Sequence, residues 1–252
     1  MLMRTIAAAL LMTSAIAWAE TSSSLSTGFD YSTGKYGGTT STNIFYVPVI
    51  GKFESDELFL KLTVPYISVT SEGTAVVRGM GQFKKTTTTT KATTQSGLGD
   101  VIASAGYIFY ESDSVMLDVA GNIKFGTADA DKYLGTGEND YSTQLDGFYF
   151  LNKTSLFATA GYKIIGAPAG TTVNNIAYGS LGFSQQTGKT TSAGVMFDAA
   201  QSSSELNPGT RELTVFVSNK ISPTLKIQAN LMKGFSDSSA DFGGGLMLTG
   251  SL

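Results

Sequence analysis

The chain has 252 residues, 17 of them basic and 20 acidic, a formal charge of −3, and neither histidine nor cysteine. Without histidine the Ser-His and Asp-His hydrolytic mechanisms are excluded, and without either residue zinc and transition metals lose their usual ligands. Disulfides are excluded as well, and no basic block is large enough for a nucleic-acid footprint, so no enzyme activity, cofactor, metal or nucleic-acid partner is expected.

The opening residues, MLMRTIAAALLMTSAIAWAE, set Arg4 before an apolar run from Ile6 to Met12 and reach Ala17-Trp18-Ala19 just before Glu20. That is the layout of a cleaved secretory signal over residues 1–19, and the run is shorter than the ~20 residues a spanning helix needs. Residues 20–252 then read as one domain, since no long low-complexity linker divides them. Only 15% of residues are charged and 29 are glycine, and no later stretch forms a spanning apolar run. β-Structure is the remaining way for an exported chain to carry so little charge.

Period-two runs bounded by turn residues predict twelve strands, near 24–32, 41–52, 57–69, 98–110, 115–125, 140–150, 155–165, 175–185, 190–200, 211–219, 224–234 and 240–252. Globular strands average about 5–6 residues, whereas these match the ~9–11 that a tilted strand needs to cross a bilayer. Their connections alternate in length. Short turns such as Glu54-Ser55-Asp56 and Gln186-Thr187-Gly188-Lys189 follow the even-numbered strands. Long polar loops, 70–97, 126–139, 166–174 and 201–210, follow the third, fifth, seventh and ninth. Short turns on one rim and long loops on the other are the signature of an all-β, antiparallel transmembrane β-barrel of the outer membrane, with short turns and both termini in the periplasm.

The stretch MLDVAGNIKFG (116–126) tells which face is wet. Leu117, Val119, Gly121, Ile123 and Phe125 share one parity, and Asp118, Ala120, Asn122 and Lys124 the other. Several unpaired ions in an apolar core would cost several kcal/mol each, and a basic side chain turned to lipid about 2–4 kcal/mol. A hydrated lumen avoids both penalties. The same count assigns inward Asp30, Lys61, Asp100, Asp118, Lys124, Gln144, Asp146, Lys163, Asp198, Glu212, Lys226 and Asn230, a mixed-charge set able to pair across strands. These are the candidate lumen-lining transport residues. Twelve strands enclose a bore between side-chain-filled eight-stranded barrels and open 16-stranded porins, so a narrow or gated pore is expected.

Other features refine that picture. Tyr107, Phe109, Tyr110, Phe148, Tyr149, Phe150, Tyr162, Phe183 and Phe197 fall near predicted strand ends, as interfacial girdles do. Pro48 and Pro65 interrupt the second and third strands, where bulges or a strand break are expected. The 70–97 loop carries Arg78, Lys84, Lys85 and Lys91 against Glu72 alone, above a lumen with more acids than bases. Opposite charges in a confined space predict that this loop draws over the mouth as a gate. The acidic TADADKYLGTGEND misses the EF-hand pattern, because Tyr133 and Leu134 stand where a ligand and a glycine are needed. GFSQQTGKTT has one residue too many between Gly182 and Gly188 for a phosphate loop. Asp113, Asp118 and Asp146 read as turn and lumen carboxylates in preference to a glycosidase pair.

Four segments, LKLTVPYISV (60–69), SGLGDVIASAGYIFY (96–110), KFGTADADKYLGTGENDYSTQLDGFYF (124–150) and FATAGYKIIGAP (157–168), carry a family likeness. They resemble the outer-membrane transporter family named for the meta-cleavage pathway of phenol degradation, with the glycine-rich GTADADKYLGTGENDYS as the most specific part. The resemblance implies a barrel that moves small, often aromatic, compounds across the outer membrane. The function expected is therefore passive passage of small solutes through a narrow barrel. The alternative is a non-conducting surface barrel that binds a partner through its external loops. Either one meets outer-membrane lipids and the barrel-insertion machinery.

Overall fold

The computed structural model describes residues 21–72, 92–204 and 209–252, and in them thirteen strands and no helix. They are β1 (Ser22–Gly34), β2 (Thr42–Glu54), β3 (Leu58–Glu72), β4 (Ala92–Leu98), β5 (Ile102–Glu111), β6 (Val115–Lys124), β7 (Asp140–Leu151), β8 (Thr154–Ile164), β9 (Ile176–Gln186), β10 (Thr191–Ala200), β11 (Thr210–Ser222), β12 (Leu225–Gly234) and β13 (Phe242–Ser251). Every pairing is antiparallel. β1 pairs with β13, Ser24 opposite Ser251 through Thr33 opposite Phe242, and this seam closes the wall. β5 runs beside Leu58–Thr63 and β4 beside Tyr66–Glu72, so the two share one flank of β3 and the barrel has twelve positions around its wall. Closure satisfies the backbone groups that an open sheet would leave bare to hydrocarbon.

The wall is inside-out relative to a soluble protein. On β6, Asp118, Ala120 and Lys124 are buried while Val119, Gly121 and Ile123 are exposed. Around the barrel the same alternation turns Leu60, Leu62, Leu145, Leu181, Val217 and Leu231 outward, Leu231 reaching 67% exposure against 1% for Asp118. An apolar belt outside and polar groups within is the arrangement a lipid-embedded barrel requires. Tyr107, Phe109, Tyr110, Tyr149, Tyr162, Phe183 and Phe197 lie on that outer surface. Phe148 and Phe150 do not: they share the inward parity of Asp146, so the girdle expected from sequence loses these two to the interior.

Pro48 and Pro65 correct the expected bulges. They stand directly opposite each other, fully buried, in a β2–β3 ladder whose register never shifts. The missing donors act on the flanking strands. The β1–β2 register skips the residues opposite Pro48 and Val47. On the other flank the Pro65 carbonyl accepts from the Gly99 N–H at 2.8 Å, and there the predicted strand 98–110 breaks between β4 and β5. A proline that cannot donate to its neighbour interrupts the ladder at that point.

Two further boundaries differ from expectation. Residues 70–72 and 92–97, read as loop, extend the β3–β4 hairpin, with Glu72 opposite Ala92. The expected signal over 1–19 and the gate candidates Arg78, Lys84, Lys85 and Lys91 lie outside the described residues. The connections after β2, β5, β7, β9 and β11 are short and share one rim; Asn152 takes a positive φ of 50° in the two-residue turn to β8. Asparagine tolerates that conformation well.

Candidate functional site

Of the twelve inward candidates, Asp30, Asp100, Asp118, Lys124, Asp146, Asp198, Glu212 and Lys226 are buried, and Lys61, Gln144, Lys163 and Asn230 half-buried. The register sorts most of them into groups. Asp118 stands directly opposite Asp146 on β6 and β7. Asp146 accepts from the Gln144 amide at 2.6 Å and from the Thr159 hydroxyl, and the Tyr178 hydroxyl donates to Gln144 at 3.1 Å. Lys61 and Lys52, paired with each other on β3 and β2, lie close enough for their charges to act on Asp118. One Asp118 carboxylate oxygen is buried with no hydrogen-bond partner. On the far side of the seam Asp30 reaches across Gly245 to the Asn230 amide at 3.2 Å. A Cβ at residue 245 would lie 2.2 Å from the Asp30 carboxylate, so only glycine leaves room for that crossing. Asp198 and Glu212 face each other on β10 and β11, while Lys163 and Lys226 stand at separate levels on β8 and β12.

Asp100 and Lys124 form something different. The strand break turns Asp100, expected mid-strand, into the barrel at the long-loop rim, where it fastens the 126–139 loop. Its carboxylate accepts from Lys124 Nζ at 2.8 Å and from the Ala128 N–H at 3.0 Å. Lys124 also donates to the Glu138 carbonyl at 3.1 Å and lies 3.6 Å from Asp140, which itself accepts the Gly166 N–H at 3.0 Å. Thr127 Oγ1 accepts the Val101 N–H at 2.9 Å, and Asn139 accepts the Gly126 N–H at 2.9 Å. A Cβ at Gly126 would sit 2.3 Å from the Gly137 backbone, and Gly137 itself needs φ 74°. The glycine-rich motif is thus a closely packed fold-back whose two ends are cross-tied.

Its tip enters the bore. Leu134 is 0% exposed and packs with Ile44 of β2, Ile67 and Val69 of β3, Met232 of β12, and Tyr36, Ala128 and Ala240 from the rim loops. Burying a leucine stabilises by roughly 1.5–3 kcal/mol. The Tyr36 hydroxyl is within 2.7 Å of Ser32 Oγ, and burial pushes its phenol up from its ordinary pKa. Beyond the ties at its base the tip is held by its own turn: the Lys132 N–H donates to Asp129 at 3.1 Å and the Leu134 N–H to the Asp129 carbonyl at 3.1 Å. The Lys132 amide holds the exposed Asp129 carboxyl below its ordinary range. Asp129 pairs with Lys132 and Asp140 with Lys124, and no described group of three or more His, Cys, Asp or Glu is placed to hold a metal.

A second apolar cluster lies across the lumen toward the short-turn rim, where Phe148, Phe157, Met196 and Phe216 pack with Met116 and Phe150. Two of its rings are seated on glycines of adjacent strands. A Cβ at Gly182 would fall 2.4 Å from the Phe157 ring and one at Gly194 2.3 Å from the Phe216 ring; each pair is directly opposite in register. Phe59 over Gly106 and Tyr178 over Gly161 repeat the arrangement. A ring laid over a cross-strand glycine covers bare backbone and lies along the wall instead of across the bore. Residues that polar parity alone overlooks, Lys52, Tyr36, Leu134 and these rings, therefore shape the lumen as much as the ions do. For Phe148 the signal was present, two positions from Asp146 on the same face.

No family model matches the sequence, and the comparison with curated proteins found no match. Solved structures do match. An outer-membrane channel from Pseudomonas putida F1 aligns over 95% of this chain and 98% of its own, with TM-score 0.67 and 12% identity. The KdgM porin aligns over 91% and 99%, with TM-score 0.58 and 9% identity. The β domain of the Bordetella autotransporter BrkA aligns over 92% and 100%, with TM-score 0.55 and 13% identity. At these identities the likeness is one of fold, shared by channels and an autotransporter alike. The chain has the fold of an outer-membrane β-barrel of the kind that channels and porins use.

Proposed function

We propose that this barrel is a gated diffusion channel of the outer membrane that passes small solutes with an apolar or aromatic part. The observation that carries the reading is the pairing of a charged, hydrogen-bonded lumen with a loop tip folded into it and anchored there by one leucine. A barrel built only as a scaffold has no use for a closure fastened at its base and held at its tip by a single side chain. The family resemblance of residues 58–168 supports aromatic solutes. The rim geometry supports long loops outside and short turns with both termini in the periplasm, reached after removal of a signal over residues 1–19. Asp30, Lys61, Asp118, Gln144, Asp146, Lys163, Asp198, Glu212, Lys226 and Asn230 would line the path, with lipids and the insertion machinery as partners.

The rival is a non-conducting barrel that binds a partner through its loops. Its support is the near-complete burial of Asp118 and Asp30, which leaves little room for water beside them. Planar-bilayer recording separates the two. A channel gives small, intermittent conductance steps that become frequent when residues 130–136 are replaced by a short glycine-serine linker. A silent membrane with both proteins would favour the sealed barrel.

A further inference from the structure

We infer that the pocket filled by Leu134 is a solute site in its own right, and that a small hydrocarbon, aliphatic or monoaromatic, competes with the leucine for it. The inference rests on the channel reading for its purpose, while the site itself is read from the wall. The walls that receive Leu134 are carbon: Ile44, Ile67 and Val69 on two adjoining strands, Met232 from across the seam, and Ala240 at the rim. The one hydroxyl among them, on Tyr36, is already engaged with Ser32. Such a wall offers an entering molecule broad apolar contact, which favours a hydrocarbon over sugars and ions. The other large apolar cluster of the lumen, toward the short-turn rim, is made of wall residues alone, so among the described residues only here is an apolar site filled from a loop.

The occupant is built to leave. The ties at the loop base, Lys124 and Ala128 on Asp100, Thr127 against Val101, and Asn139 on Gly126, hold residues 124–128 and 138–140 whether or not the tip is docked. The Lys132 and Leu134 N–H groups bond to Asp129 within the turn itself, so the turn keeps these bonds when Leu134 leaves the pocket. Gly97 faces the leucine: a Cβ there would come within 3.0 Å of Leu134 Cδ1, so the absent side chain gives the docked tip its room. Leu134 thus acts as a tethered ligand, and a free one binds only in the fraction of time that the pocket is empty.

That competition gives the test. Benzotrifluoride binding to the folded protein in detergent is followed by fluorine NMR, with the heat-modifiable gel band as the check on folding. Leu134→Ala should tighten binding about tenfold or more, because the tethered competitor is gone. Leu134→Met, which keeps a side chain of similar volume, should bind as weakly as the native protein. Adding Val69→Asp to Leu134→Ala should abolish the gain. Equal affinity in the native protein and Leu134→Ala, or a gain that survives Val69→Asp, would overturn the inference. Conductance separates this result from the channel reading: tighter binding in a barrel that never conducts keeps the site and removes the channel, and a conducting barrel without the gain does the reverse.

Discussion

The two apolar clusters inside this barrel are made of similar atoms and are held in opposite ways. At the long-loop rim the cluster is completed by a visitor, Leu134, brought in by a loop tied down at its base. Toward the short-turn rim every member belongs to the wall, and Phe157 and Phe216 rest on glycines that leave no space for a Cβ. A visitor can be removed without rebuilding the barrel, whereas a seated ring cannot move without disturbing a strand. The first cluster therefore suits a gate and the second a fixed constriction.

The largest effect should come from breaking the base of the loop. Lys124→Met leaves Asp100 and Asp140 buried without their cation and should cost about 3–5 kcal/mol, read as a lower urea midpoint for the folded barrel. Next is the fixed cluster. Gly182→Ala drives a methyl group into the Phe157 ring and should cost about 1–3 kcal/mol while narrowing the bore and lowering conductance. Gly121→Ala, where a Cβ meets nothing within 4 Å, is the matched control and should change neither. If Gly182→Ala behaves like Gly121→Ala, the rings are not seated as described. A smaller loss, roughly 0.5–1.5 kcal/mol, is expected for Thr127→Val, which removes the acceptor of the Val101 N–H, again in the urea midpoint.

The smallest effect concerns the tip alone. Asp129 has its pKa depressed, so what it contributes is present above the ordinary carboxylate range and is lost only as pH falls through the lower folded value. Carboxyl NMR should place its midpoint below that of a free aspartate. Lys132→Ala should leave most of the depression intact, since the leading cause is a backbone N–H that alanine retains. A midpoint at the ordinary value would mean that the turn does not form.

Strand positions and facing were legible because a half-wet wall imposes period two on the sequence; Asp118 against Val119 is the plainest instance. What stayed hidden has physical causes. Pro65 breaks a neighbouring strand, not its own, and alternation along one strand cannot report a donor missing across the ladder, so Asp100 looked like one more wall residue. Phe148 and Phe150 were read by their crowding near a strand end, and their parity points the other way. Leu134 is a lone apolar residue in a polar loop, where no period exists to assign it a face. The 126–139 tip enters the bore through apolar contact and backbone hydrogen bonds, which a count of charges does not report, and the gate expected of Arg78, Lys84, Lys85 and Lys91 lies outside the described residues.

Closure of the mouth by Leu134 can be tested directly, because the chain has no native cysteine. The side chains at 97 and 134 meet in the docked tip, Leu134 Cδ1 lying 3.0 Å from the Gly97 Cβ position, so a disulfide formed between cysteines placed there would tether the tip. Single-channel recording of Gly97→Cys/Leu134→Cys, with bond formation verified by mass spectrometry, should show low conductance when oxidised and a several-fold rise on reduction. Equal conductance in both states, with the bond formed and broken, would mean that the 126–139 tip does not control the bore.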